Sequence, residues 1–147
     1  MPDVDILSEI LIRRPAADVA VFASDPGHAP LWYENIKGVE WITAPPLRLG
    51  SRIAFVAQFL GRWLSYTYEI VELEPGRRLV MRTAEGPFPM ETTYEWAPEG
   101  PASTRMKLRN RGSPAGCARI AAPFMKAAMG RANRKDLKKL KALLESS

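Results

Sequence analysis

The chain has 147 residues, of which 46% are hydrophobic and 25% are charged, and its formal net charge is +5. These values are typical of one soluble globular domain, here predicted to span residues 1–147, and they exclude a disordered tail. The chain holds one cysteine and one histidine, which excludes an intrachain disulfide and argues against a zinc site, and no motif implies another metal or a cofactor.

The N-terminal part of the chain predicts a strand followed by two short helices. Alternating apolar side chains indicate the strand over residues 4–13. Pro15 suits the first turn of the first helix, and the Asp-Pro-Gly sequence at residues 25–27 ends it. The second helix is predicted from Ala29 to Asn35. His28 therefore lies in a turn and is expected to point to solvent, which argues against a catalytic role.

The middle of the chain predicts an antiparallel sheet. Apolar alternation and intervening loops rich in glycine and proline indicate six strands over residues 39–43, 51–60, 62–73, 79–83, 90–96 and 103–111. In the last hairpin one face is polar throughout and mostly charged, with Glu91, Thr93 and Glu95 opposite Arg105, Lys107, Arg109 and Arg111. Such opposed charges suit a solvated outer face, so the other face is expected to point inward.

The C-terminal segment predicts a long amphipathic helix. Ser113 followed by Pro114 resembles a helix start. An apolar stripe is predicted from Ile120, Phe124, Ala128, Leu137, Leu140 and Leu144. Seven basic residues lie between Lys126 and Lys141 with only Asp136 against them, and we interpret them as a solvated face that complements the helix dipole. Because no aromatic residue is interleaved with them, no nucleic-acid partner is predicted, whereas transient contact with an anionic membrane stays an alternative.

The N-terminus predicts a cytoplasmic protein. It carries acids where a signal peptide needs basic residues, and Ser8 and Glu9 interrupt its apolar run. No apolar run approaches the roughly 18 residues that a transmembrane helix needs. The lone Cys117 fits a reducing compartment.

An ordered set of short motifs carries a resemblance to a known family. The motifs are RRPAADVAVFASDP with Trp32 following, PLRLGSRI, LGR, YEIVELEPGRRLVMR, TTYEW and DLKKLKALLE. In this order the sequence resembles the START-like superfamily, in particular the bacterial SRPBCC branch called polyketide cyclase/dehydrase-like. The resemblance implies an α+β helix-grip fold of order β-α-α-β6-α, in which a curved, seven-stranded antiparallel sheet surrounds a long C-terminal helix. It also implies a cavity between sheet and helix that holds an apolar ligand.

The inner face predicted from alternation agrees with such a cavity, because it mixes bulky apolar groups with hydroxyls that need partners. A closed core whose hydroxyls bond to one another is the alternative. The cavity mouth is expected between the LGR turn, the loop at residues 85–89 with Phe88 as a lid, and the helix. The predicted ligand contacts are Trp32, Phe55, Phe59, Tyr66, Tyr68, Met81, Phe88, Thr92, Tyr94, Met106, Phe124, Met125 and Ala128.

Three functions follow from these observations. The first is binding of a small hydrophobic molecule, lipid-like, aromatic or polyketide-like, by a monomer or homodimer. The second is an enzyme of the cyclase, aromatase or dehydratase type that uses pocket tyrosines such as Tyr66 and Tyr94. Alternation places no acid and no imidazole inside, which argues against the enzyme. The third is a co-chaperone-like protein-interaction module with a filled core.

Overall fold

A computed structural model describes residues 4–59, 61–86, 89–113 and 122–147. Strands β1 to β7 span Val4–Ile12, Ile36–Trp41, Arg52–Phe59, Arg62–Glu74, Arg78–Glu85, Met90–Pro98 and Thr104–Gly112. Helices α1, α2 and α3 span Ala16–Ser24, Ala29–Trp32 and Ala122–Glu145, and a 3-10 turn over Pro26–His28 joins α1 to α2. Within these ranges no helix combines the length and the apolarity needed to span a bilayer.

The seven strands form one antiparallel sheet in the order β1-β7-β6-β5-β4-β3-β2. Each strand from β2 onward pairs with the next in sequence, whereas β1 pairs with β7, from Val4 opposite Gly112 to Ile12 opposite Thr104. Helix α3 packs along β1 and against α2, and so covers the inner face of the sheet. This architecture is the predicted helix-grip, START-like fold with the order β-α-α-β6-α, which is therefore confirmed.

The two faces of the sheet differ in charge as the alternation predicts. On the outer face Arg82 Nε lies 2.8 Å from Glu91 Oε2, and Arg109 Nη2 lies 2.7 Å from Asp5 Oδ2. Exposed pairs of this kind contribute about 1 kcal/mol or less, so they mark the solvent face more than they hold the sheet together. On the inner face of β6 the side chains of Met90, Thr92, Tyr94 and Trp96 are buried.

The apolar core lies between the inner face and the C-terminal half of α3. Leu137, Leu140 and Leu144 of α3 are buried there against the sheet, as the periodicity predicts. The predicted stripe is wrong at Phe124 and Ala128, because Phe124 is 65% exposed and Ala128 is only partly buried. At 3.6 residues per turn, these positions lie about 140° and 180° around the helix from Leu137. Ile120 and the predicted start at Pro114 lie outside the described residues.

The turn between α1 and α2 is held by local hydrogen bonds. The Gly27 amide donates to Asp25 Oδ1 at 2.9 Å. The His28 ring stacks on Phe22 with centroids 4.2 Å apart, and its Nδ1 lies 3.0 Å from the Phe22 carbonyl oxygen. The expectation that His28 points to solvent is therefore wrong, since the ring is half-buried and fastens the turn to α1. Helix α2 ends at Trp32 rather than Asn35, because the chain is already extended at Tyr33.

Candidate functional site

A cavity of about 170 Å³ lies between the inner face of the sheet, the α1–α2 region and α3. Most of its wall is apolar, and the side chains come from all of these elements. Strands β3, β4 and β5 contribute Ile53, Phe55, Ala57, Leu64, Tyr66, Tyr68, Ile70, Leu79 and Met81, β6 and β7 contribute Met90, Thr92, Tyr94 and Asn110, and α3 contributes Met129, Ala132, Asn133 and Asp136. The remaining wall comes from Ala23, Ser24, Asp25, Pro26, Ala29, Tyr33, Asn35, Ile36 and Leu47.

An aromatic cluster on β3 and β4 forms one side of the cavity. The Phe55 and Tyr68 rings meet edge to face with centroids 5.7 Å apart. The centroid of the Tyr66 ring lies 6.0 Å from that of Tyr68. Gly86, just after β5, allows this arrangement, because a Cβ at that position would lie 2.5 Å from Tyr66 Cδ1. The absence of a side chain at Gly86 therefore lets the backbone pass close to the Tyr66 ring.

Several hydroxyl groups of the wall are hydrogen-bonded to other wall residues. Tyr33 and Tyr94 are joined by a hydrogen bond of 2.5 Å between their hydroxyl oxygens. Thr92 Oγ1 donates to Asn110 Oδ1 at 2.6 Å, and Tyr68 is hydrogen-bonded with Thr92. Burial raises the pKa of Tyr33, Tyr68 and Tyr94. These tyrosines therefore stay protonated near neutral pH and act as hydrogen-bonding groups rather than bases.

Helix α3 adds a carboxyl and an amide to the cavity wall. Asp136 is 2% exposed, and its Oδ1 accepts a hydrogen bond of 3.0 Å from the Glu34 backbone amide. Burial raises the pKa of Asp136 from its ordinary 3.8 to about 6, against the opposing effect of the Glu34 hydrogen bond and of Lys139 and Lys135. Asn133 is 4% exposed, and its buried Nδ2 has no hydrogen-bond partner among the described residues.

The structure brings six of the predicted ligand contacts together on the cavity wall, namely Phe55, Tyr66, Tyr68, Met81, Thr92 and Tyr94. Trp32 and Met106 are fully buried in the core behind it. Trp32 packs there against Tyr33 and Tyr94, with ring centroids 4.1 and 5.8 Å away. Trp32 and Met106 therefore lie behind the cavity wall and not on it.

The predicted contacts on α3 do not line the cavity. Phe124 is exposed, and Met125 and Ala128 are only partly buried and lie outside the wall. The helix turns other residues toward the cavity because its buried face is set by Leu137 and Leu140. Phe88 and the side chain of Phe59 lie outside the described residues, as does part of the predicted mouth.

Asp136 and Asn133 of α3 are polar wall residues that the sequence analysis missed, and so is Asp25, which it treated only as part of a helix break. The expectation that no acid lies inside the cavity was based on the alternation of the strands. It holds for the strands and is wrong for α3. A signal was present for Asn133, because it precedes Leu137 by four residues and Leu140 by seven and so shares their face. Asp136 was interpreted as a solvated counter-charge to its basic neighbours.

Comparison with known proteins places the chain in a family. Residues 3–145 match the family described as polyketide cyclase / dehydrase and lipid transport. The chain belongs to this family. No protein with a curated description matches it in sequence. The family assignment agrees with the resemblance to the START-like superfamily noted in the sequence.

Solved structures share the fold of this polyketide cyclase/dehydrase family member at low sequence identity. A START superfamily protein from Mycobacterium smegmatis is 17% identical, with a TM-score of 0.84 and 97% of both chains covered. A protein from Thermus thermophilus is 21% identical, with a TM-score of 0.83, covering 97% of this chain and 99% of the other. The Zhui aromatase/cyclase from Streptomyces sp. R1128 is 18% identical, with a TM-score of 0.80, covering 96% of this chain and 93% of the other.

Proposed function

We propose that the protein binds one small, mainly apolar molecule, lipid-like or aromatic, in the cavity between the sheet and α3. The observation that carries this proposal is the cavity itself, about 170 Å³ beside a core of buried apolar side chains. An engineered apolar cavity of about 150 Å³ holds a benzene molecule, so the volume suits one aromatic ring or a short alkyl chain.

The energetics favour a ligand that is not purely apolar. A ligand that buries about 200 Å² of apolar surface gains about 5 kcal/mol. That free energy corresponds to a dissociation constant of about 0.2 mM before the entropy of association is subtracted. Tighter binding therefore needs polar contacts, and the hydroxyls, Asn133 and Asp136 are the groups placed to make them.

The test is to fill the cavity from α3. Ala132 lines the cavity, whereas Ala128, one turn earlier and also partly buried, does not. Ala132→Leu should weaken binding of a hydrophobic dye at least tenfold, and the matched Ala128→Leu should leave it unchanged. Native mass spectrometry of freshly purified protein should show a bound small molecule in the wild type and less of it in Ala132→Leu. Equal binding in both variants, or no binding in the wild type, would refute the proposal.

A second candidate is an enzyme of the cyclase, aromatase or dehydratase type. The observation that favours it is Asp136, whose pKa of about 6 makes both of its protonation states accessible near neutral pH beside the tyrosines. In that case Tyr66→Phe, Tyr94→Phe or Asp136→Asn should abolish turnover of a poly-β-ketone substrate and leave its binding largely intact. A loss of binding in proportion to turnover would instead favour the carrier.

The cavity lends no support to a co-chaperone-like module, because such a module needs only a filled core.

Delivery of a lipid-like ligand from an anionic membrane in the cytoplasm stays within the proposal, because Lys126, Arg131 and Lys138 are exposed on α3. Sedimentation with vesicles containing phosphatidylserine tests this part, and binding that is equal with neutral vesicles would refute it.

A further inference from the structure

The charged groups that line the cavity are all acidic. Asp25 and Asp136 are on the wall, and no lysine or arginine is among the described residues that line it. This is the opposite of the whole chain, whose formal net charge is +5. Asp25 uses Oδ1 to accept from the Gly27 amide and belongs to the turn that closes one end of the cavity. Asp136 is more deeply buried and lies beside Asn133.

Asn133 and Asp136 present complementary hydrogen-bonding groups. Asn133 Nδ2 is a buried donor without a partner among the described residues. Asp136 has a partner for Oδ1, the Glu34 amide, whereas Oδ2 receives no hydrogen bond from the described part of the chain. Residues three apart on a helix have Cβ atoms about 5–6 Å apart, so one polar group of a ligand can reach both side chains.

The surroundings of Asp136 leave its charge dominant inside the cavity. On its own helix Lys135 and Lys139 are exposed, and Lys135 Nζ lies 3.4 Å from Glu34 Oε2 in the loop after α2. The Tyr33 and Tyr94 hydroxyls that face it from the loop and from β6 are neutral and bonded to each other. The cations therefore act on Asp136 from the solvent side, where they are screened.

We propose that the ligand carries a neutral hydroxyl, as in a phenol or an alcohol, which accepts from Asn133 and donates to Asp136, and that this carboxylate excludes ligands bearing a carboxylate. The inference rests on the proposed binding function. A hydroxyl suits the pair because it is donor and acceptor at one atom, whereas an ionised carboxylate only accepts. A carboxylate that takes the Asn133 hydrogen bond would place its charge next to Asp136 in a poorly hydrated site.

The first experiment compares probes that share one apolar body. Titration calorimetry at pH 7.5 measures 4-ethylphenol, 4-ethylbenzoate, 4-ethylbenzylamine and ethylbenzene. The phenol should bind at least tenfold more tightly than each of the other three. Benzoate binding as tight as phenol overturns the exclusion, and tighter amine binding overturns the choice of a hydroxyl. If none of the probes binds, the proposed function itself fails, whereas equal binding of all of them refutes this inference alone.

The second experiment removes each polar group in turn. Asp136→Asn keeps the shape and an acceptor for the Glu34 amide, and should tighten 4-ethylbenzoate binding at least tenfold. Asn133→Leu should weaken 4-ethylphenol binding about tenfold and leave ethylbenzene unchanged. The control Glu40→Gln removes a carboxylate from an exposed position on β2 and should change neither. Benzoate binding that does not respond to Asp136→Asn overturns the assignment.

The wild-type protein offers a third measurement that does not depend on the folding of a variant. Between pH 7.5 and pH 5 Asp136 takes up a proton, since its pKa is about 6, while a benzoate stays ionised. Affinity for 4-ethylbenzoate should therefore rise by about tenfold over this range, and affinity for 4-ethylphenol should change by less than threefold. A benzoate affinity that is flat with pH contradicts the role of Asp136.

Discussion

Asp136 makes the stability of the protein depend on pH in a direction opposite to that of most carboxylates. Burial raises its pKa from 3.8 in the unfolded chain to about 6 in the folded chain. The folded state therefore holds this proton more tightly than the unfolded state does. The stability linked to it is fully present below pH 3.8, is lost progressively above that, and is lost completely once the pH passes about 6.

The magnitude follows from the shift of about two units at about 1.36 kcal/mol per unit. Relative to a side chain that stays neutral in both states, Asp136 lowers the free energy of unfolding by about 3 kcal/mol at pH 8 and by about half as much at pH 5, where it ionises mainly in the unfolded chain. Asp136→Asn mimics the protonated form and keeps the hydrogen bond from the Glu34 amide. We therefore expect the variant to be more stable than wild type at both pH values, by about 1–2 kcal/mol more at pH 8 than at pH 5.

Urea denaturation of both proteins at pH 5 and pH 8 measures this double difference. Subtracting the unfolding free energy of the wild type from that of the variant at each pH cancels the pH dependence contributed by other carboxylates. One of these is Asp5, whose pKa is lowered by Arg109. Glu40→Gln serves as the control, because it removes an exposed charge and should show no difference between the two pH values. A stabilisation by Asp136→Asn that is the same at pH 5 and pH 8 would refute the reasoning.

Three further predictions test the support of the cavity. Trp32→Ala should lower the free energy of unfolding by about 3–5 kcal/mol and loosen Tyr94, whereas His28→Ala should lower it by about 1 kcal/mol, as measured in urea. Gly86→Ala should lower the free energy of unfolding by about 1–3 kcal/mol and weaken dye binding, because the new Cβ displaces the Tyr66 ring. The control is Gly38→Ala, which should displace no ring because its Cβ would lie 3.8 Å from Val56 Cβ. Equal dye binding in the two variants would contradict this prediction. A double-mutant cycle of Tyr33→Phe and Tyr94→Phe should give a coupling free energy of about 1 kcal/mol for their hydrogen bond, and additive effects would show that the bond contributes nothing.

The strands and their faces could be predicted from the sequence because their signal is local. Alternation with period two placed Phe55, Tyr66, Tyr68, Met81 and Thr92 on one face, and the charges of the last hairpin showed which face meets water. The helix was harder, because its predicted stripe followed apolar residues alone. Asn133 and Asp136 point inward, and a rule that counts polar residues as exposed assigns them to the wrong side.

The boundaries that failed have physical reasons as well. Helix α2 ends at Trp32 because Trp32 is fully buried and the chain extends from Tyr33 to form the Tyr94 hydrogen bond. This is a tertiary contact across 61 residues of chain, which no local pattern encodes. Met106 was placed on the inner face correctly and Trp32 was expected to contact the ligand, but whether an inward-pointing residue touches the cavity or the packed core depends on the packing of α3.

The pairing of β1 with β7 has a consequence for synthesis on the ribosome. β1 is the first of the seven strands of this sheet to be made, and its partner ends at Gly112, with Lys141 of α3 donating to the Leu11 carbonyl later still. At about 5–20 residues per second, the backbone of β1 waits about 5–20 s before its partner strand exists. During that interval its edge is open to other chains. The nascent chain is therefore at risk of aggregation along the edge of β1 that later pairs with β7, and β7 covers that edge once it emerges.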